Sequence, residues 1–484
     1  MVSKSFPYNH EFFKIFEEIC KIPHGSGNTK QLAEWCVEFA KNHGCEAIVD
    51  KAGNVIIKRS AAKGFENVEP IIIQGHLDMV CEKEADSNHD FNTDGLKLEF
   101  DGKYISANGT TLGADDGVAV AFALSIVADK ELQLPALEIL LTVDEETGLF
   151  GASGLDGSLL SGKKLINLDS EEEGVLLCGC AGGLTAIIDA EFNQFSQNGT
   201  VVTLRLLGLA GGHSGAEIHR KRINAAIAMA KLLKSTMLDF RLVSFVGGSK
   251  FNAIPCVCTA MVLVDEDKTE LLLERIKAGV EALKLSAESP EDKPYIEVSK
   301  EIKTVKALNT SDSFKVTDYL SEVIDGVIKA GETGVVTSLN TGISTYKDGS
   351  FHSEALIRSM VNNDLDVVYA LLGSTVLKYG FSINGCDRYP AWEFNENSPL
   401  REKMVEVYEK VYGKKPVVST IHAGLECGVI SEKIKGMDAV SMGPNMYDVH
   451  TVNERLDVKS AVRTYEYLLK ILKSIGDNNG TEKN

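Results

Sequence analysis

Apolar residues recur along this chain in two periods, and the period changes with position. Near the N-terminus they fall three and four residues apart. Phe12, Phe13, Ile15, Phe16 and Ile19 line one face of a predicted helix, and Leu32, Ala33, Trp35 and Phe39 line another over 31–43. Short apolar runs follow at 47–49, 54–57 and 70–73, each of strand length. A helix rich in Ala and Val is predicted over 117–128, then a strand over 137–143. Continuously apolar strands alternating with helices predict an α/β fold, a mixed and mostly parallel sheet covered by helices.

The pattern shifts near Gly182. Residues 201–209 alternate in the manner of a half-exposed strand, a Gly211-Gly212-His213-Ser214-Gly215 turn follows, and a helix is predicted over 224–233. A second stretch of similar layout runs from 337–340 through 355–359 to a helix over 364–377. A charged segment, 265–306, reads as the join between them. The expectation is an inserted α+β domain over 185–388, internally duplicated, within a main domain made of 1–184 and 389–484. The first pattern resumes with a helix over 400–412, strands at 417–418 and 439–442, and a last helix over 458–475. The polar tail, 477–484, is expected to be disordered.

At 484 residues the chain is too long for one ordinary core, which agrees with two domains. Its net charge of −19 argues against nucleic acid and anionic lipid as partners. The first ten residues lack the apolar core of a signal peptide, and no apolar run is long enough to span a bilayer. The ten cysteines are scattered, and Cys178-Gly179-Cys180 and Cys256-Val257-Cys258 have the wrong spacing for a zinc knuckle. Reduced thiols and a cytoplasmic location are expected.

The chemistry gathers where predicted strands end. His76 and Asp78 follow Ile71-Ile72-Ile73-Gln74-Gly75, Asp115 stands in Leu112-Gly113-Ala114-Asp115-Asp116-Gly117, and Glu145-Glu146 follow the 137–143 strand. Asp169 ends Asn167-Leu168-Asp169, and His450 lies in a loop near the C-terminus. Histidine and carboxylate ligands suit zinc, and a catalytic site leaves room for water. His76 is expected to bind metal through one ring nitrogen while Asp78 accepts the other N–H. Asp115 is expected to bridge two metals and Asp116 to cap the following helix. Adjacent acids would repel one another; of Glu145 and Glu146, one would bind metal and the other stay free as a base. Singly each residue has an ordinary structural explanation. Together they fall at the sheet edge where open α/β folds bind ligands.

On these segments, with His422-Ala423-Gly424-Leu425-Glu426-Cys427-Gly428 added, the chain resembles the cytosol nonspecific dipeptidases, or aminoacyl-histidine dipeptidases. These belong to the di-zinc superfamily of the glutamate carboxypeptidases and aminoacylases. The resemblance implies a peptidase domain with an inserted lid, and two Zn2+ per chain. It assigns His76 and Asp169 to one zinc, Glu146 and His450 to the other, and Asp115 to both. It makes Glu145 the general base and Asp78 the partner of His76. In the lid it implies that His213 polarises the scissile carbonyl with Asn252 nearby. Arg358 would hold the substrate carboxylate, and Gly424 would offer backbone contacts. The implied reaction is hydrolysis of unblocked dipeptides, Xaa-His included, by a zinc-bridged water. Co2+ or Mn2+ would substitute for zinc. The lid could supply His213 within one chain or across a homodimer. Two alternatives stay open from sequence: a related amidase such as an aminoacylase or desuccinylase, and a metal-stabilised binding or scaffold protein.

Overall fold

The computed structural model describes residues 6, 9–332 and 334–477. The tail from 478 on lies outside the described residues. The chain forms two compact units. The first runs up to Cys180 and resumes over Trp392–Thr420 and from Leu425 on; the second is Ala181–Ala391 with Ile421–Gly424.

The first unit is built on an eight-stranded sheet. Its order is Glu46–Val49, Val55–Arg59, Leu137–Thr142, Ile71–His76, Lys164–Asn167, Asp438–Ser441, Val175–Cys180 and Val417–Ile421. Four central strands, Leu137–Thr142, Ile71–His76, Lys164–Asn167 and Asp438–Ser441, are mutually parallel. Parallel neighbours end on the same edge, so the residues after Ile73, Leu141 and Ile166 emerge together. Every residue of Ile71–His76 and Leu137–Thr142 is buried, which is why these strands read as apolar runs without alternation.

Helix Ala114–Ala128 packs on the Ile71–His76 strand and on helix Glu11–Cys20. It is buried from Ala114 to Val127, as a helix apolar all round must be. A small four-stranded sheet joins Met446–Tyr447, Arg455–Asp457, Tyr104–Ala107 and Leu98–Phe100. It fixes the 446–457 hairpin, which carries His450, against the segment leading to Asp115.

The second unit is a nine-stranded sheet, antiparallel at every described pairing. Its order is Tyr295–Ala307, Phe195–Leu207, Cys258–Val264, Arg241–Gly247, Gly334–Lys347, Ser350–Ser359, Gly182–Glu191 and Ser382–Tyr389, with Gly326–Gly331 beside Gly334–Lys347. Helices Ala225–Ser235, Thr269–Ser286, Thr310–Glu322 and Asn362–Lys378 complete it. The charged 265–306 segment is no linker. It holds helix Thr269–Ser286 and the edge strand Tyr295–Ala307. The helix buries only Thr269, Leu272, Ile276 and Val280, and the strand is exposed along most of its length. Charges are tolerated on both, so the apolar signal was faint. Among the described residues no helix is long and apolar enough to cross a membrane.

Candidate active site

Strand ends deliver the ligand candidates to one place. His76 is the last residue of Ile71–His76 and is 1% exposed. Its Nε2 lies 3.2 Å from Asp115 Oδ1 and 3.6 Å from Asp169 Oδ1. His450 Nε2 lies 3.1 Å from Asp115 Oδ2 and 2.9 Å from Glu146 Oε1. The two oxygens of Asp115 therefore face different histidines. Ligand atoms of His76, Glu145 and Glu146 also lie within 4.8 Å of one another, as do those of Asp115, Glu146 and His450.

Asp116 is not a helix cap. No side-chain cap bond is made at this terminus, and Asp116 Oδ2 instead accepts from the backbone N–H of His76 at 3.1 Å. Gly75 makes room for it: a Cβ there would lie 2.5 Å from Asp116 Oδ2. Asp116, His76 and Asp169 form a further close group of possible ligands. Asp78 also differs from expectation. His76 Nδ1 donates to the Asp78 carbonyl at 2.9 Å, while the Asp78 carboxylate lies 3.6 Å away, beyond hydrogen-bond range. That carboxylate accepts from the backbone N–H of Glu145 at 3.0 Å and of Glu146 at 3.3 Å, and from Ser26 Oγ at 2.7 Å. Asp78 thus grips the backbone of the two acids and holds the imidazole through its own main chain.

Two further carboxylates escaped the sequence reading. Glu454 accepts from four successive amides, Leu112 at 2.7 Å, Gly113 at 3.0 Å, Ala114 at 2.8 Å and Asp115 at 3.3 Å. It shapes the turn that presents Asp115. Glu426 is fully buried and accepts at Oε2 from Gln74 Nε2 and Thr142 Oγ1, each at 2.6 Å. Gln74 Oε1 in turn accepts from Asn167 Nδ2 at 2.6 Å. Gln74, Thr142 and Asn167 sit on the three strands that end at His76, the acid pair and Asp169, so this polar layer ties those strands together.

The charges demand compensation. Burial pushes Asp169 up to about 7 and Glu426 up to about 8, and it raises Glu145 well above the usual carboxylate range. Hydrogen bonds to Asp115 and Glu146 hold His450 up at about 11. Burial opposes protonation of His76, but Asp169 and Asp115 outweigh it and raise it well above its ordinary value. Carboxylates outnumber histidines in this enclosed cluster. Divalent cations would supply the charge that two imidazolium ions alone do not, so the donor set fits metal.

In the second unit, strand Gly212–His213 pairs with Ala253–Ile254, and Ser214 N–H donates to the Asn252 carbonyl at 2.9 Å. His213 and Asn252 are thereby neighbours. His213 Nδ1 accepts from Gly215 N–H at 3.3 Å and Ala216 N–H at 3.0 Å. Amides only donate, so the neutral ring carries its proton on Nε2. Arg358, 5% exposed, donates from Nη1 to Tyr389 Oη at 2.8 Å. The Tyr389 ring lies close over Gly424. His422 Nε2 is 2.7 Å from Ser338 Oγ.

The model of peptidase family M20/M25/M40 matches residues 72–474. The chain is 37% identical over 468 residues to a cytosol non-specific dipeptidase of Escherichia coli, covering 95% of this chain and 96% of that protein. Its fold superposes on an aminoacylhistidine dipeptidase from Vibrio alginolyticus with a TM-score of 0.85, at 34% identity over 98% of each chain. An aminopeptidase PepT from Bacillus cereus shares the fold at a TM-score of 0.56 and 17% identity, over 96% of this chain and 98% of that one.

Proposed function

The chain belongs to peptidase family M20/M25/M40, and from that premise we propose a dipeptidase served by two divalent cations. It is a metal-dependent peptide hydrolase, and unblocked dipeptides of broad composition are its substrates. His76 and Asp169 would hold one cation, Glu146 and His450 the other, and Asp115 both. Nitrogen and carboxylate ligands favour zinc, with cobalt or manganese as substitutes. One observation carries this reading: Asp115 turns one oxygen to His76 and the other to His450.

Bound cations would polarise a water and the peptide carbonyl. The chain's own residues do the rest. Glu145 takes the proton of the attacking water and returns it to the leaving amine. Burial raises its proton affinity, which suits a group that must hold a proton between the two transfers. Asp78, through the two amides it accepts, aims Glu145 and Glu146 in different directions. His213 Nε2–H is the kind of donor that would serve a carbonyl oxygen as negative charge develops on it. Asn252 and Gly424 bind substrate beside it, and Arg358 pairs with the substrate carboxylate. Among the described residues no disulfide links the ten cysteines, and thiols of this kind fit a cytoplasmic location.

A panel of dipeptides, with Gly-Leu against N-acetyl-leucine, tests the reading. Activity should vanish on chelation, return with zinc, and be confined to the free dipeptides. Preferred cleavage of the acylated amino acid would assign an aminoacylase instead.

A further inference from the structure

We propose that His422, set by Ser338, is a second donor in the seat for the substrate's terminal carboxylate, opposite Arg358. The inference rests on the dipeptidase reading and adds to it a residue that reads charge at the end of the substrate.

The starting point is a pair of orphans. Arg358 Nε and His422 Nδ1 are both enclosed, and neither has a hydrogen-bond partner among the described residues. Buried polar atoms are rarely left unpaired, and each such atom calls for an explanation. The two residues are neighbours, because Ser338, bonded to the His422 ring, stands opposite Arg358 in strand register. A Cβ built on Gly215 would press on the His422 carbonyl oxygen and would lie 3.2 Å from Arg358 Nε and 3.0 Å from His213 Cε1. Only a glycine at 215 lets these groups approach one another so closely.

The proton on His422 can be placed. Burial first, then the charge of Arg358, depress this imidazole to about 4, so the ring is neutral and carries one N–H. Ser338 Oγ makes its hydrogen bond with Nε2, and no other bond of that hydroxyl is found among the described residues. If Nε2 donated, the hydroxyl proton and Nδ1 would both be stranded. If the hydroxyl donates to Nε2, only the Nδ1 proton lacks a partner. The second arrangement strands fewer groups, so Nδ1 is a donor. Ser338 is 1% exposed and faces Arg358 in strand register, which fixes it beside the pair.

Two enclosed N–H donors, one of them cationic, call for an acceptor with two oxygens and a negative charge. A free α-carboxylate meets that demand, whereas a carboxamide brings one oxygen and its own unwanted donors. The pair therefore selects substrates with an unblocked C-terminus.

The experiment compares a dipeptide with its C-terminal amide in the zinc-loaded enzyme. Wild type should prefer the acid. His422→Ala should raise KM for the acid by about tenfold to a hundredfold, the worth of a bond to a charged group. It should leave kcat and the amide nearly unaffected, so the preference collapses. His422→Asn, which can place a donor near the Nδ1 position, should recover part of the preference. Ser338→Ala should lose part of it. Ser338→Ala is also the second approach should His422→Ala fail to fold, because it removes one hydroxyl and keeps the imidazole. Equal losses for acid and amide in these variants, or an unchanged ratio, would overturn the role of His422. A wild type that cleaves no dipeptide at all would instead overturn the functional reading beneath it.

Discussion

Glu145 and Glu146 are adjacent acids with different neighbours, and the proposed roles follow the neighbours. Glu146 meets His450 at 2.9 Å and shares that imidazole with Asp115. Glu145 has its amide held by Asp78 and its carboxyl raised by enclosure. Replacing Glu145 by Gln keeps the size and removes the proposed base. Metal content by atomic absorption should be unchanged, and kcat should fall by about a hundredfold to ten-thousandfold. A variant with full zinc and normal kcat would remove Glu145 from the chemistry. That this pair gathers with His76, Asp115, Asp169 and His450 was legible because apolar runs end just before most of them. Their partners were not. Asp78 is two residues from His76, yet its carboxylate serves Glu145 and Glu146, 67 and 68 positions away. Spacing along the chain carries no trace of that choice.

Strands and turns set the precision of the site. Ile71–His76, Leu137–Thr142 and Lys164–Asn167 run parallel and are cross-linked beneath the ligands by Gln74, Thr142, Asn167 and Glu426. The turn over 112–115 is shaped by Glu454. Glu454→Ala should leave four buried amides without their acceptor and let Asp115 wander. Zinc affinity, read by competition with a chelating dye, should fall about tenfold to a hundredfold, with the far-ultraviolet dichroism unchanged. Wild-type affinity in that variant would make Glu454 a bystander. Sequence reading found these strands because burial on both faces makes them apolar over most of their length. It overlooked Glu426 and Glu454, which resemble the surface acids common in loops and first helical turns. It also took the 265–306 segment for a join, because an exposed edge strand and a helix with one narrow buried face mimic a solvated linker.

At the scale of the molecule, the first unit gathers acids around two histidines, and those acids favour the protonated imidazoles. A ligand must shed its proton to bind metal, and His450 keeps its own up to about 11. Zinc uptake should therefore release protons, and its apparent affinity should climb with pH. Thermal melts should show this directly. Zinc at a hundred times its Kd stabilises by about 2.7 kcal/mol, and at one fixed zinc concentration the gain in Tm should be larger at pH 8 than at pH 6. A gain independent of pH would mean that the metal binds elsewhere. The two-unit division has a bearing on biosynthesis. Asp115 is among the earlier ligands to be translated, but the acceptor that shapes its turn is residue 454, made after the entire inserted unit. A nascent chain leaving the ribosome carries most of the acidic cluster long before that turn can close, so premature termination anywhere upstream of Glu454 yields a product that cannot mature into a working enzyme.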